Sequence, residues 1–443
     1  MNGPRDLNGL LRRWLRPGIG IKRWLAAAFA GQMLIALAVA LVLQMVLRGS
    51  PTDSSARAVF EMLTLSFLPL EARPIVLFLA GGALFVIGAW RVLRTLVEPF
   101  SAREEPIAEV LYQRRLRARG PRIVAIGGGT GLSVLLRGLK EFTSNITAVV
   151  TVADDGGSSG KLRDEMGVPP MGDIRNCIAA LADAEPVMAS LLHYRFPNGN
   201  GAHPGLAGHA FGNLLIAALA NVSGDFEEGV RQSNRVLAVR GSVVPVCGQP
   251  VTLHAELADG TQLDGQSRIA RAREVRRVWL SPDNLKPSSE ALQAIRAADL
   301  VVIGPGSLYT SLLPPLLVPG VADALRWTSA ARLFVCNVAT QVGETEAFGV
   351  SDHLAALDAH GLGDAIDAVL VNDNFGARQP PNYPAAPVRL DLEPRRRPDI
   401  ELIRADVVAD NNAHHHDAQK LSAAIMTLNE RRQGGRRRTF AAA

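Results

Sequence analysis

A single stretch, residues 122–164, limits what this chain can fold into: RIVAIGGGTGLSVLLRGLKEFTSNITAVVTVADDGGSSGKLRD. It opens on a short apolar run, 123–126, that stops at four glycines around one threonine. Leu132, Leu135, Leu136 and Leu139 follow at helical spacing. A β-branched run, 146–152, then ends in a second polar glycine cluster, DDGGSSG. Strand, tight loop, helix, strand, loop is one βαβ unit of a parallel sheet. In such a sheet the loops at the carboxyl ends of the strands form the ligand crevice. Two glycine-rich loops in succession there point to a phosphate-bearing ligand.

In the first loop Gly127, Gly128, Gly129 and Gly131 let a ligand approach the backbone, and the amides opening the helix make an anion site. Thr130 adds a hydroxyl. The alternative is a purely structural strand–helix turn. The loop is neither a Walker A motif nor a dinucleotide fingerprint, because Leu132 stands where the last glycine of G-x-G-x-x-G belongs. A nucleotide-binding strand usually ends in one acid on a ribose hydroxyl, whereas here Asp154 and Asp155 are adjacent. Paired carboxylates before Gly156, Gly157, Ser158 and Ser159 suit a metal ion or sugar hydroxyls. Capping of the next turn is their structural alternative.

Charge is divided unevenly along the 443 residues. Residues 1–120 carry 16 Lys and Arg against 8 Asp and Glu, residues 121–430 carry 26 against 34, and five arginines lie beyond. An acidic body with basic ends argues against nucleic acid and for an anionic membrane surface. Residues 24–47 and 74–90 hold no charge, and 91–97 extend the second run if Arg91 and Arg94 snorkel. Basic outer flanks and a loop balanced at three arginines and three acids place both ends in the cytoplasm. The expected order is a membrane anchor at 1–97 (spans 24–47 and 74–97), a connector at 98–120, a ligand-binding domain at 121–430, and a basic disordered tail at 431–443. Cys177, Cys247 and Cys336 are far apart and read as core residues.

Past the second loop, Asp173 precedes an apolar-periodic run and suits a helix N-cap, while Arg175 and Asn176 in the first turn face the same sheet edge. His209 and Asn213, four apart, follow another glycine-rich segment. With His203 and His209 lacking a third ligand nearby, a zinc site is rejected. Residues 242–280 read as a small β insertion whose arginines 268, 271, 273, 276 and 277 form a solvated face or meet an acidic partner or anionic ligand. A third glycine loop, Gly304, Pro305 and Gly306 with Ser307, ends the strand 300–303. Tyr309 and Thr310 follow; the tyrosine suits stacking on a base or sugar, with core packing as the alternative. Further strands are expected at 333–338 and 368–371.

IGGGTGLSVLLRGLK, VTVADDGGSSGKLR, GDIRN, GHAFGNLL, IGPGSLYTSLLP and CNVATQVGET together resemble the YvcK family, the gluconeogenesis factors, within the CofD superfamily. The resemblance covers about 121–430 and stops short of the membrane spans. It implies a Rossmann-like α/β fold with helices on both faces that binds a UDP-sugar such as UDP-N-acetylglucosamine. It also implies a role in cell shape and envelope synthesis during gluconeogenic growth. The superfamily's enzymes are 2-phospho-L-lactate transferases that hold a nucleotide diphosphate and a metal, which here would be Mg2+ at Asp154 and Asp155. Two functions compete: a non-catalytic regulator at the inner membrane, with a homo-oligomer or envelope-synthesis proteins as partners, and a metal-dependent transferase. An NAD-dependent oxidoreductase fails on the broken fingerprint.

Overall fold

The computed structural model describes residues 107–441 apart from 184, 198–204, 379–384 and 394–396, together with isolated positions between 29 and 87. The chain divides into two units, 1–116 and 117–443. Both expected spans lie largely outside the described residues. Within them Phe29, Val39, Ile75, Val76, Leu79 and Ile87 are helical and exposed, and Phe29 meets Phe85 edge-on at 6.0 Å. Among the described residues no single helix is long and apolar enough to cross a membrane. A helix, Ile107–Ala118, occupies much of the expected connector.

The second unit is built on a parallel sheet. Its first strands are β1 (Ile123–Gly127), β2 (Ile146–Val150) and β3 (Ser242–Pro245). A separate antiparallel sheet follows, made of β4 (Thr252–Leu257), β5 (Gln262–Asp264) and β6 (Val275–Ser281). The chain then returns to the main sheet as β7 (Leu300–Ile303), β8 (Ala331–Val335), β9 (Ala368–Asn372) and β10 (Glu401–Ala405). A short hairpin, β11 (Val408–Ala409) and β12 (Asn412–His416), precedes the last helix, Ala418–Ala441. The main-sheet order is β10-β9-β8-β7-β1-β2-β3, and every neighbouring pair is parallel.

That order sets the position of the site. From β1 the chain winds outward through β2 to β3, then comes back beside β1 and winds the other way. The reversal falls between β1 and β7, and ligands in open α/β sheets bind outside the strand ends at such a point. Both strands are wholly buried, as strands covered on two faces must be. The helix Gly129–Leu139 buries Leu132, Leu135, Leu136 and Leu139, the stripe its spacing predicts. It packs on the helices Gly172–Leu181 and Ala418–Ala441. The three cysteines are buried and unpaired to one another.

Two expectations are corrected here. The run at 243–246 is not part of the β insertion: it pairs parallel with β2 and forms the edge of the main sheet, so the insertion proper is β4–β6. Its four apolar residues are needed there to cover the adjoining helices. The basic tail is not without structure, because the last helix runs to Ala441. Arginine is a good helix former, and a run of them extends a helix already anchored by Leu421, Ile425 and Leu428.

Candidate functional site at the carboxyl ends of β1, β2 and β7

The three glycine loops converge. Gly127 (φ +156°) and Gly129 (φ +67°) take the chain from β1 into its helix, conformations that disfavour other residues. The β1 and β7 loops touch through backbone: a Cβ on Gly131 would lie 2.6 Å from the Pro305 carbonyl oxygen. Gly306 is clamped by Asn337, whose Oδ1 accepts its N–H at 3.2 Å and whose Nδ2 donates to its carbonyl at 2.9 Å. Asn337 lies in the CNVATQVGET segment, and its clamp on Gly306 depends on a contact across 31 residues that the motif alone does not reveal. Thr130 and Gly157 are exposed, and Gly157 has open space around it.

The two adjacent aspartates go separate ways. Neighbouring side chains on an extended segment point to opposite sides, so the pair is not a joint metal site. Asp155 Oδ1 accepts the Ser267 N–H at 2.8 Å and ties the loop to the turn after β5. Asp154 stays in the cleft, where its Oδ1 accepts the Gly156 N–H at 3.0 Å and Ser159 is a further partner. Its spatial companion is Asp173, in the first turn of Gly172–Leu181 rather than at its N-cap. Gly128 and Gly172 permit this approach, since a Cβ on either would fall 2.5 Å from Asp173 Oδ2 or 2.7 Å from Asp154 Oδ2. The Gly129 N–H also serves Asp173.

Burial raises the pKa of both acids; Asp155 adds to the rise at Asp154, and Asp154 adds to the rise at Asp173, which is pushed up to about 6. Arg175 offsets part of this. It is 7% exposed and donates from Nη1 to Asn213 Oδ1 at 3.2 Å and from Nη2 to Asn176 Oδ1 at 3.1 Å. Its Nε has no hydrogen-bond partner among the described residues. Burial and then Arg195 lower its pKa, but a guanidinium stays charged. Behind it Asn213 Nδ2 donates to the hydroxyls of Ser158 and Ser159 at 3.2 and 3.3 Å, and His209 Nδ1 lies 3.3 Å from Ser158 Oγ. His203 lies outside the described residues.

Tyr309 and Thr310 turn inward instead. Tyr309 is 3% exposed, packs edge-on to His360 at 6.2 Å, and has its phenol pushed up to about 12 by burial. Its N–H donates to Glu344 Oε2 at 3.0 Å, and the Thr310 hydroxyl donates to the same carboxylate. Glu344 is itself buried and raised in pKa by that burial. The tyrosine therefore anchors the third loop from beneath, and the packing alternative describes it. Ser307, ahead of the single turn Leu308–Leu312, is part exposed beside Gly306.

Asp173 has a consequence for pH. Its folded pKa, about 6, stands above the ordinary 3.8, so the folded state holds the proton more tightly. The contribution to stability is full below pH 3.8 and is lost as pH rises toward 6, costing at most about 3 kcal/mol at neutrality. Asp173→Asn should raise the urea midpoint of the ligand-free protein at pH 7.5 and flatten its stability between pH 4 and 6. An unchanged pH slope in the variant would show that this carboxyl carries no such cost.

Two cavities lie away from these loops: one of about 360 Å³ at the amino ends of the strands, lined by Arg122, Asn145 and Ser242, and one of about 260 Å³ beside β6. The carboxyl-end cleft is where the titratable groups converge, and no group of three or more metal-ligating side chains occurs among the described residues.

Residues 123–408 match the family described as 2-phospho-L-lactate transferase CofD. Gluconeogenesis factors of Bacillus subtilis and Halalkalibacterium halodurans are 45% and 46% identical over 70% and 69% of this chain, and 98% and 95% of their own. A Nostoc relative is 42% identical over 94% of this chain and 91% of its own length, so its match reaches the amino-terminal region as well. A crystal structure of a Bacillus halodurans protein of the UPF0052 family superposes with TM-score 0.64 at 44% identity, covering 70% of this chain and 99% of that one. The chain belongs to the CofD family, on its gluconeogenesis-factor (YvcK) branch.

Proposed function

We propose that the carboxyl-end cleft binds a UDP-sugar such as UDP-N-acetylglucosamine, and that the protein acts as a regulator rather than a catalyst. The observation that carries this is Arg175: a buried guanidinium, held by two asparagines, with its Nε–H unpaired among the described residues and its charge acting on Asp154 and Asp173. A buried donor of that kind suits a diphosphate. Asp154 and Asp173 suit hydroxyls of the ribose or sugar. In this reading the ligand reports on envelope precursors, and the protein adjusts cell shape and envelope synthesis during gluconeogenic growth through envelope-synthesis partners or a homo-oligomer. At 100 times its Kd the UDP-sugar should stabilise the full chain by about 2.7 kcal/mol. NAD should give no shift, and no sugar, phosphate or nucleotide should be released. Stabilisation by NAD alone would sink the reading.

A transferase is the second reading, favoured by the Asp154–Asp173 pair. Two buried carboxylates, with Asp154 raising the pKa of Asp173, fit a magnesium ion completed by ligand phosphates, since that ion commonly takes only one or two protein carboxylates. Bound there, the metal would neutralise charge on the phosphates. Steady product formation from a nucleotide-diphosphate donor, dependent on magnesium, would select this reading.

The amino-terminal unit is proposed to tether the domain to the inner membrane by two spans, with both termini cytoplasmic. The charge-free runs and the exposed apolar positions Ile75, Leu79 and Ile87 support it. A cysteine engineered at Ser54 should be labelled from outside intact cells and one at Ser101 should not. Labelling at Ser101 would reverse the topology.

A further inference from the structure

The β4–β6 sheet carries a second chemical constellation, independent of any ligand at the glycine loops. His254 sits on the central strand with Asp264 directly opposite on β5 and Trp279 opposite on β6. Its Nδ1 lies 2.5 Å from Asp264 Oδ1, and its Nε2 lies 2.7 Å from Ser281 Oγ, on the last residue of β6. A carboxylate at Nδ1 requires the N–H there, which leaves Nε2 as the acceptor for the Ser281 hydroxyl. The indole of Trp279 stacks on the imidazole at 5.5 Å and 12°, which fixes the ring plane.

We propose that Ser281, His254 and Asp264 form a nucleophilic triad that hydrolyses small esters reaching it from solvent. The order of the three groups and both separations are those by which a serine is activated. Thr252 is the cross-strand partner of Ser281, and its hydroxyl accepts a hydrogen bond from Arg163 Nη2 at 2.7 Å. Arg163 Nη1 also donates to the Val251 carbonyl oxygen at 2.8 Å, which fixes this guanidinium on the strand paired with Ser281. The cavity of about 260 Å³ beside β6 is not lined by Ser281, His254 or Asp264; the triad faces solvent instead, with the Asp264 side chain 65% and the His254 side chain 20% exposed.

The step balances without a cofactor. Ser281 Oγ bonds to the ester carbonyl carbon while its proton passes to His254 Nε2. The tetrahedral oxyanion collapses, the bond to the alcohol oxygen breaks, and His254 returns the proton to the departing alkoxide. Water, losing a proton to the same nitrogen, then attacks the acyl carbon; the bond to Ser281 Oγ breaks, His254 returns the proton to that oxygen, and the carboxylic acid leaves. Ester and water give acid and alcohol. Asp264 is a positioning residue that holds the tautomer and balances the imidazolium.

The test is labelling of the full chain with a fluorophosphonate and hydrolysis of p-nitrophenyl acetate. Mass spectrometry of the wild-type adduct should place it on the peptide bearing Ser281. Ser281→Ala should abolish labelling, and Ser281→Ala and His254→Gln should each lower hydrolysis by at least roughly 1,000-fold, within the range seen when triads are dismantled. The adduct map needs no variant, so misfolding of a mutant cannot produce the expected result. No labelling of the wild type, an adduct at another residue, or labelling that persists in Ser281→Ala would each overturn the proposal.

Discussion

Gly131→Ala should cost the protein part of its stability and, on the proposed function, its nucleotide-sugar binding. The added methyl would stand 2.6 Å from the Pro305 oxygen, 2.9 Å from its carbonyl carbon and 3.1 Å from the Gly306 nitrogen, all backbone. No side chain can rotate to relieve this. Either the helix Gly129–Leu139 retreats from the sheet or the β7 loop moves away from β1. Overpacking of this kind costs about 1–3 kcal/mol. Binding should suffer more than stability, because the displaced amides are those assigned to the ligand in the proposed function, and a loss of roughly 100-fold is expected, or about 2.7 kcal/mol. Titration calorimetry with UDP-N-acetylglucosamine, beside a urea melt, measures both. Affinity within twofold of wild type would show that the loop contact does not shape the site.

Arg175→Met should be more damaging still, for an electrostatic reason. The arginine is buried, and it is the positive charge that moderates Asp154 and Asp173. Methionine keeps much of the volume under Gly212, whose Cβ position lies 2.8 Å from the arginine's own methylenes. What is lost is charge. Stranding buried carboxylates by removing their partner costs about 3–5 kcal/mol for a direct pair, and the low end applies here because the contact is not a direct bridge. The loss should shrink at pH 5, where Asp173 is largely protonated and has less need of a cation. Equal destabilisation at pH 5 and pH 7.5 would mean that packing, not charge, is what Arg175 supplies. Binding of the UDP-sugar should fall beyond detection at both values.

The parts legible in the sequence were those set by local pattern. The strand at 300–303 and the helix stripe from Leu132 to Leu139 follow from apolar spacing, and the glycine loops mark where strands end. What escaped depends on which strand lies beside which. The run at 243–246 alternates no differently from an insertion strand, and only its parallel pairing with β2 makes it part of the main sheet. Asp154 and Asp155 are adjacent in sequence, yet the alternation of an extended segment gives one to the cleft and the other to Ser267. Tyr309 follows a glycine loop as a stacking residue would, but the buried Glu344, far along the chain, claims its backbone. Asp264, His254 and Ser281 are ten and twenty-seven residues from their partners, and register alone joins them.

The reversal of strand order between β1 and β7 also governs how the chain is made. As it leaves the ribosome, β1 pairs with β2 and β2 with β3, while the other edge of β1 waits through the whole β4–β6 sheet for β7. During that interval a fully apolar strand presents an unpaired edge, the usual template for association between chains. Truncations ending before residue 300 are therefore expected to be sticky rather than partially active. The long-range pairing that completes the cleft is the kind that slows folding most, so the site forms late and all at once.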